Sequence, residues 1–169
     1  MRIEGFVETI AANELAVTYD MTGDINSVRW PEISKHQFRQ GLWKTTCFEL
    51  FIGAHSTERY LEFNFSPSTE WCGLSFKSYR HGQSDIRELA FSKFDVTRSE
   101  NAFSMHVQFV APEPLLDAGK SDYRAALTAV VEETDGRLVY WADAHRSEAP
   151  DFHNNKSFER DLTLRKETR

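Results

Sequence analysis

The sequence predicts an all-β fold, a single antiparallel β-sandwich, on three observations. Short runs alternate apolar and polar side chains with the two-residue period of a strand. Turn signals such as Thr22-Gly23-Asp24, Ser99-Glu100-Asn101 and Asp135-Gly136 separate those runs. Segments with the spacing of a helix face are almost absent, which argues for sheet packed on sheet. The 169 residues contain no repeat, linker or low-complexity segment, so one domain is expected to span residues 1–169 around one core.

The elements follow in chain order. Phe6–Thr9 reads as a short edge strand. Glu14–Tyr19 is a better one, with Leu15, Val17 and Tyr19 on one face. Asn26–Arg29 is expected to be a short strand, and Pro31 biases Trp30 away from helix. Ser34–Gln40 is polar and fits a helical turn or a loop. Cys47–Ile52 and Tyr60–Ser66 are the central pair. Their apolar faces are Phe48, Leu50 and Ile52, and Leu61, Phe63 and Phe65. Pro67–Gly73 reads as a turn with Trp71 at its tip, and Leu74–Tyr79 as the next strand. Arg80–Asp85 is a glycine-bearing loop, and Ile86–Val96 resembles two strands broken near Ser92-Lys93. Phe103–Val110 points Phe103, Met105, Val107 and Phe109 inward. Ala111–Lys120 is bounded by prolines and read as a loop with one turn of helix. Tyr123–Glu132 is long and apolar. Periodicity alone allows helix there, and the Asp-Gly turn before Leu138–Ala142 favours a strand hairpin. Asp143–Lys156 is a polar loop, Phe158–Leu164 a closing strand, and the charged C-terminal residues are expected to fray.

Composition excludes some functions. The net charge is -6 with both signs interspersed and no basic stripe, which argues against a nucleic-acid partner. No apolar run approaches membrane-spanning length, so no membrane partner is expected. The opening MRIEGFVETI lacks the features of a signal peptide, so the expectation is a cytoplasmic protein. Cys47 and Cys72 then read as reduced thiols, with a disulfide left open because both flank strands that can be neighbours.

The faces of the central pair opposite the core carry Glu49, Glu62, Asn64 and Ser66. Trp43 precedes the pair and Trp71 follows it. Carboxylates and amides exchange hydrogen bonds with vicinal hydroxyls, and tryptophan stacks on the apolar face of a sugar ring. The competing reading is a solvated outer sheet face, common in sandwiches.

The stretch LWKTTCFELFI with YLEFNFSPSTEW, together with VYWADAH and PDFH near the end, resembles the DOMON-like domains related to family 9 carbohydrate-binding modules, closest to an uncharacterised bacterial subgroup. The resemblance runs from about Ala16 to Leu164 by the placing of the strands. It implies a jelly-roll or immunoglobulin-like sandwich that binds a small sugar or similar polar ligand without chemistry and without a cofactor. It implies Trp71 and Trp141 as stacking plates, Trp43 as an alternative, and Glu49, Glu62 and Asn64 as hydroxyl partners. Arg80 or Lys44 is placed to read a negative substituent, and His145 lies in a loop that follows Trp141 and is placed to line the groove.

Other readings rank lower. Glu49 and Glu62 are a conceivable glycosidase pair. An aromatic rim of tryptophan and arginine suits a protein partner or a weak homodimer. His145, Asp151 and His153 match no metal motif, and bracing of their loop is the preferred reading. Some DOMON relatives hold haem through Met and His. Met105 and His106 are adjacent and point to opposite faces, which leaves Met21 with His145 or His153 as the haem alternative. Ser66, Ser68 and Cys47 lack the GxSxG context of a nucleophile.

Overall fold

The computed structural model describes residues 1–169 except 12, 56, 113–121, 147 and 165–169. Most of the Ala111–Lys120 loop and the C-terminal residues therefore lie outside the described residues. The described residues form two antiparallel sheets packed as a sandwich, with single turns of 3-10 helix as their only helical elements.

The four-stranded sheet holds β1 (Arg2–Ala11), β2 (Glu14–Thr22), β7 (Phe91–Arg98) and β8 (Ala102–Val110) in the order β1-β2-β8-β7. The other sheet holds β3 (Cys47–Ala54), β4 (Tyr60–Phe65), β5 (Trp71–Phe76), β6 (Ser84–Ile86), β9 (Asp122–Glu132), β10 (Leu138–Ala142) and β11 (Arg160–Thr163). Its order is β10-β9-β3-β4-β5-β6, and β11 pairs with the first residues of β9.

The two-residue period sets both layers. Leu15, Val17, Tyr19 and Met21 of β2 and Phe103, Met105, Val107 and Phe109 of β8 all point between the sheets and are buried. They meet Phe48, Leu50 and Ile52 of β3 and Leu61, Phe63 and Phe65 of β4. Phe48 stacks on Phe103 with ring centroids 5.1 Å apart, and Phe63 packs on Phe109 at 4.9 Å. Aromatic pairs at these separations add to the area they remove from water. The Tyr19 hydroxyl crosses between the layers and donates to the Glu49 carbonyl at 2.5 Å.

Several boundaries differ from the sequence expectation, each for a local reason. Asn26 and Ser27 lie in a 3-10 turn and Val28 makes one isolated bridge to Glu133, so Asn26–Arg29 is not a strand. Ser92 is a bulge inside β7, where pairing to β8 slips between Phe91 and Lys93, and the real break lies between β6 and β7. Trp71 is not a turn tip. The turn closes earlier, through Thr69 at φ 74° and hydroxyl bonds among Ser66, Ser68 and Glu70. Trp71 then opens β5 directly opposite Phe65.

A second apolar cluster covers the other face of the larger sheet. Cys47, Phe51, Tyr60, Cys72, Leu74, Phe76 and Ala126 project outward from it, and Leu42 and Phe158 fold over them. Cys47 and Cys72 are buried free thiols of this layer. The larger sheet is therefore packed on both faces. That is why β9 reads as continuously apolar.

Candidate functional site

Antiparallel pairing puts Glu49 beside Thr128 of β9 and Asn64 of β4, and Glu62 beside Phe51 of β3 and Leu74 of β5. All these side chains leave the outer face of the larger sheet. Glu49 and Glu62 are diagonal neighbours on one face of adjacent strands, within reach of each other's charge. Both line a cavity of about 400 Å³. Its walls carry Trp43, Phe76 and Val130, with Tyr140, Phe152 and His153 from β10 and the loop beyond it, and Arg80 and Gln83 from the loop after β5.

The floor is dry. Glu49 is 2 % exposed and Glu62 4 %. The competing reading of a solvated outer face is thereby overturned. Thr128 Oγ1 donates to Glu49 Oε2 at 3.1 Å, and Asn64 Nδ2 donates to Glu62 Oε1 at 2.8 Å. Asn64 lies fully buried beneath the floor, where its Oδ1 faces Cys47 Sγ at 3.8 Å. Among the described residues Glu62 Oε2 is buried and accepts no hydrogen bond. Burial, and then the Glu62 charge, push the Glu49 carboxyl well above the ordinary carboxylate range, against the Thr128 bond. Burial pushes the Glu62 carboxyl up to about 7, against the pull of the Asn64 amide and the Arg80 guanidinium.

One wall is a hydrogen-bonded chain. The Arg80 backbone N–H donates to the Tyr60 hydroxyl at 3.1 Å, and that hydroxyl lies 2.8 Å from His153 Nδ1. With Tyr60 donating to Nδ1, a neutral His153 carries its proton on Nε2. That nitrogen stands 3.8 Å from Glu62 Oε2, beyond hydrogen-bond reach. Burial, and next the Arg80 charge, pull His153 down to about 4, so the ring is neutral at pH 7. The Arg80 guanidinium pairs with Asp151 at 2.9 Å, and Tyr79 donates to the other oxygen of that carboxylate at 2.9 Å.

Of the residues singled out from the sequence, the structure brings Glu49, Glu62, Trp43 and Arg80 together around this cavity, with Asn64 supporting Glu62 from below. Three others stand elsewhere. Trp71 is 5 % exposed in the inter-sheet core, edge-on to Phe38 and against Phe91, because its partner Phe65 is an inward residue. Trp141 pairs with the inward residue Ala129, and a Cβ at Gly5 of β1 would come within 3.4 Å of its ring. Neither tryptophan is a plate of this groove. Lys44 is exposed and does not line the cavity. His145 is exposed next to the groove, its ring 6.4 Å from that of Phe152. Arg80 lines the cavity with its guanidinium paired to Asp151. Met21 is sealed in the core, so it cannot join His145 or His153 around an iron.

Sequence reasoning passed over Tyr140, Phe152 and the wall role of His153. Tyr140 lies opposite Val130, an outward residue, so β10 offers the groove its tyrosine and the core its tryptophan. Asp151 does brace its loop, through Arg80 and Tyr79.

Among the described residues, no group of three or more histidine, cysteine, aspartate or glutamate side chains is arranged to hold a metal ion. The groove can instead offer buried acceptors, one neutral imidazole and aromatic surface to a small polar molecule.

No protein-family model matches this sequence, and no curated protein sequence does. The fold matches the crystal structure of a "putative carbohydrate-binding protein" from Bacteroides uniformis. The match has a TM-score of 0.71 at 13% identity and covers 96% of this chain and 78% of that one. At that identity the likeness establishes the shared β-sandwich, and the groove residues stand on their own geometry.

Proposed function

We propose that this protein binds a small carbohydrate, or a similar polyhydroxylated molecule, in the groove on the outer face of the larger sheet, without turning it over. The observation that carries the reading is the floor: two buried carboxyls, one oxygen of which lacks a donor, beneath walls of Trp43, Tyr140 and Phe152. A sugar hydroxyl supplies the missing donor, and a pyranose ring offers its C–H face to the aromatic walls. A ligand hydroxyl lodged beside Glu62 Oε2 and His153 Nε2 can donate to the first and accept from the second. The fold shared with the Bacteroides protein and the sequence resemblance to sugar-binding modules support the same reading.

Tryptophan fluorescence titration with mono- and disaccharides tests it. Among the described residues Trp43 is the one tryptophan lining the cavity. Saturable emission changes are expected in the wild type, and none in Trp43→Phe or Glu62→Ala. A flat response from folded wild-type protein overturns the proposal. Release of free sugar from aryl glycosides, lost in Glu62→Gln, would convert the carboxyl pair from binding groups to acid–base chemistry. Of the tryptophans a partner-docking rim would offer, Trp71 is already buried inside the fold.

A further inference from the structure

We propose that the ligand of this groove carries a positively charged amine, an amino sugar being the simplest form, and that Glu62 receives the ammonium. The inference rests on the sugar-binding reading and adds to it the sign of the ligand's charge.

The first observation is the unpartnered oxygen. Glu62 is 4 % exposed, lines the cavity, and presents an Oε2 that accepts no hydrogen bond among the described residues. Buried carboxylate oxygens are ordinarily satisfied, so a donor belongs at this position. The second is the lack of a compensating cation. Glu49 and Glu62 share the floor, and their hydrogen-bond donors are a hydroxyl and an amide, both neutral. His153 is neutral at pH 7 and too far from Glu62 to bond it. Arg80 is already paired with Asp151. Among the described residues lining the cavity there is no other lysine or arginine. A phosphorylated or carboxylated ligand would thus meet two acidic groups and a single guanidinium already shared with Asp151.

An ammonium meets the opposite situation. It brings three donors and a positive charge that favours the ionised form of Glu62, whose carboxyl otherwise stands at about 7, and charge-assisted bonds are about twice as strong as neutral ones. The walls suit it as well, because the faces of Trp43, Tyr140 and Phe152 attract cations. A neutral sugar gains the stacking and one hydroxyl bond to Oε2 and leaves the pair of acids uncompensated.

The test varies the ligand before the protein. Glucosamine, galactosamine and mannosamine are titrated by calorimetry at pH 7, each beside its parent hexose, its N-acetyl derivative and glucose 6-phosphate. At least one hexosamine is expected to bind about tenfold or more tighter than its hexose and its N-acetyl form, with the phosphate weakest. Glu62→Gln keeps the shape and the Asn64 bond, and it is expected to bring hexosamine and hexose to within about threefold of each other. Equal affinities for amine and hexose, or a preference for the phosphate, overturn the charge assignment and leave sugar binding standing. Glu62-dependent binding of a plain amine such as ethanolamine, with no affinity for any hexose or hexosamine, overturns the sugar reading and upholds the ammonium. Binding by none of them removes both.

Discussion

The two faces of the larger sheet are built by the same strands and meet different fates. On the inner face Phe48, Leu50 and Ile52 of β3 and Leu61, Phe63 and Phe65 of β4 close against the four-stranded sheet. On the outer face Cys47, Glu49 and Phe51, with Tyr60, Glu62 and Asn64, sit under a partial roof of loop residues. Both faces are dry. The inner one removes apolar area from water and asks nothing of its polar atoms. The outer one buries two carboxyls that no cation bonds, an arrangement that costs folding energy and that the proposed ligand would offset.

Mutation of neighbouring residues should separate the faces most sharply. Leu50→Ala opens a cavity where no water reaches, and a loss of about 2–5 kcal/mol in chemical denaturation is expected. Glu62→Gln, one strand away on the opposite face, should leave stability at pH 7 within about 1 kcal/mol of wild type while removing the preference for hexosamine over hexose. If Glu62→Gln unfolds the protein as Leu50→Ala does, the outer face is a second structural core.

The pH dependence of stability sharpens the contrast, because only the outer face titrates. Glu62 rises from 4.5 unfolded to about 7 folded. Between those values the native state holds the extra proton, so this contribution is fully present below 4.5 and lost as pH rises toward 7. It amounts to up to about 3 kcal/mol. His153 falls from 6.5 to about 4, so its contribution is present above 6.5 and lost as pH falls toward 4. The two oppose each other between pH 4.5 and 6.5. Glu49, raised well above 4.5, adds a loss of the same sign as that of Glu62. The groups facing Glu62 are Glu49 and Cys47 from β3, Tyr60 from its own strand, Cys72 from β5, Arg80 after β5, and His153 from the loop after β10. Against wild type, Glu62→Gln should gain stability as pH rises from 4.5 to 7, and His153→Gln should gain as pH falls from 6.5 to 4. Thermal melts across that range read both difference curves. Parallel curves for all three proteins would mean that neither group is shifted.

How far the sequence revealed these faces depends on whether a strand is covered on one side or two. The apolar faces of β3 and β4, the inward residues of β2 and β8, and the shared face of Glu49 and Glu62 follow from plain alternation. β9 and β10 do not alternate, since Ala125, Leu127, Ala129 and Val131 face one layer while Ala126, Thr128 and Val130 face the other. With both faces apolar, nothing in LVYWA says whether Tyr140 or Trp141 looks outward, and a one-residue slip exchanges them. Trp71 was hidden differently. Its preceding turn is closed by side-chain hydroxyls and a left-handed Thr69, features that read as a longer loop. The roof residues Phe152 and His153 sit on an irregular segment, where no period exists to place them.

Exchanging tryptophans probes that illegible parity at a smaller energy scale. Trp71→Phe shrinks a packed inner side chain, and a loss of about 1–2 kcal/mol with ligand-induced fluorescence intact is expected. Trp43→Phe should show the reverse, full stability and no fluorescence response. The smallest effect belongs to the residue beside it. Trp43 lines the cavity while Lys44 is exposed and does not, so the edge of the groove falls between two consecutive side chains. Lys44→Ala should change stability by less than about 0.5 kcal/mol and leave hexosamine affinity unmoved. Arg80→Ala should act differently although it removes the same charge, because it releases Asp151 beside the acids and makes the groove more negative. Weaker anion binding and stronger amine binding in Arg80→Ala, with neither in Lys44→Ala, would place the electrostatic boundary where the geometric one lies. A Lys44-dependent affinity for a sugar phosphate would move it outward and make this an anion site after all.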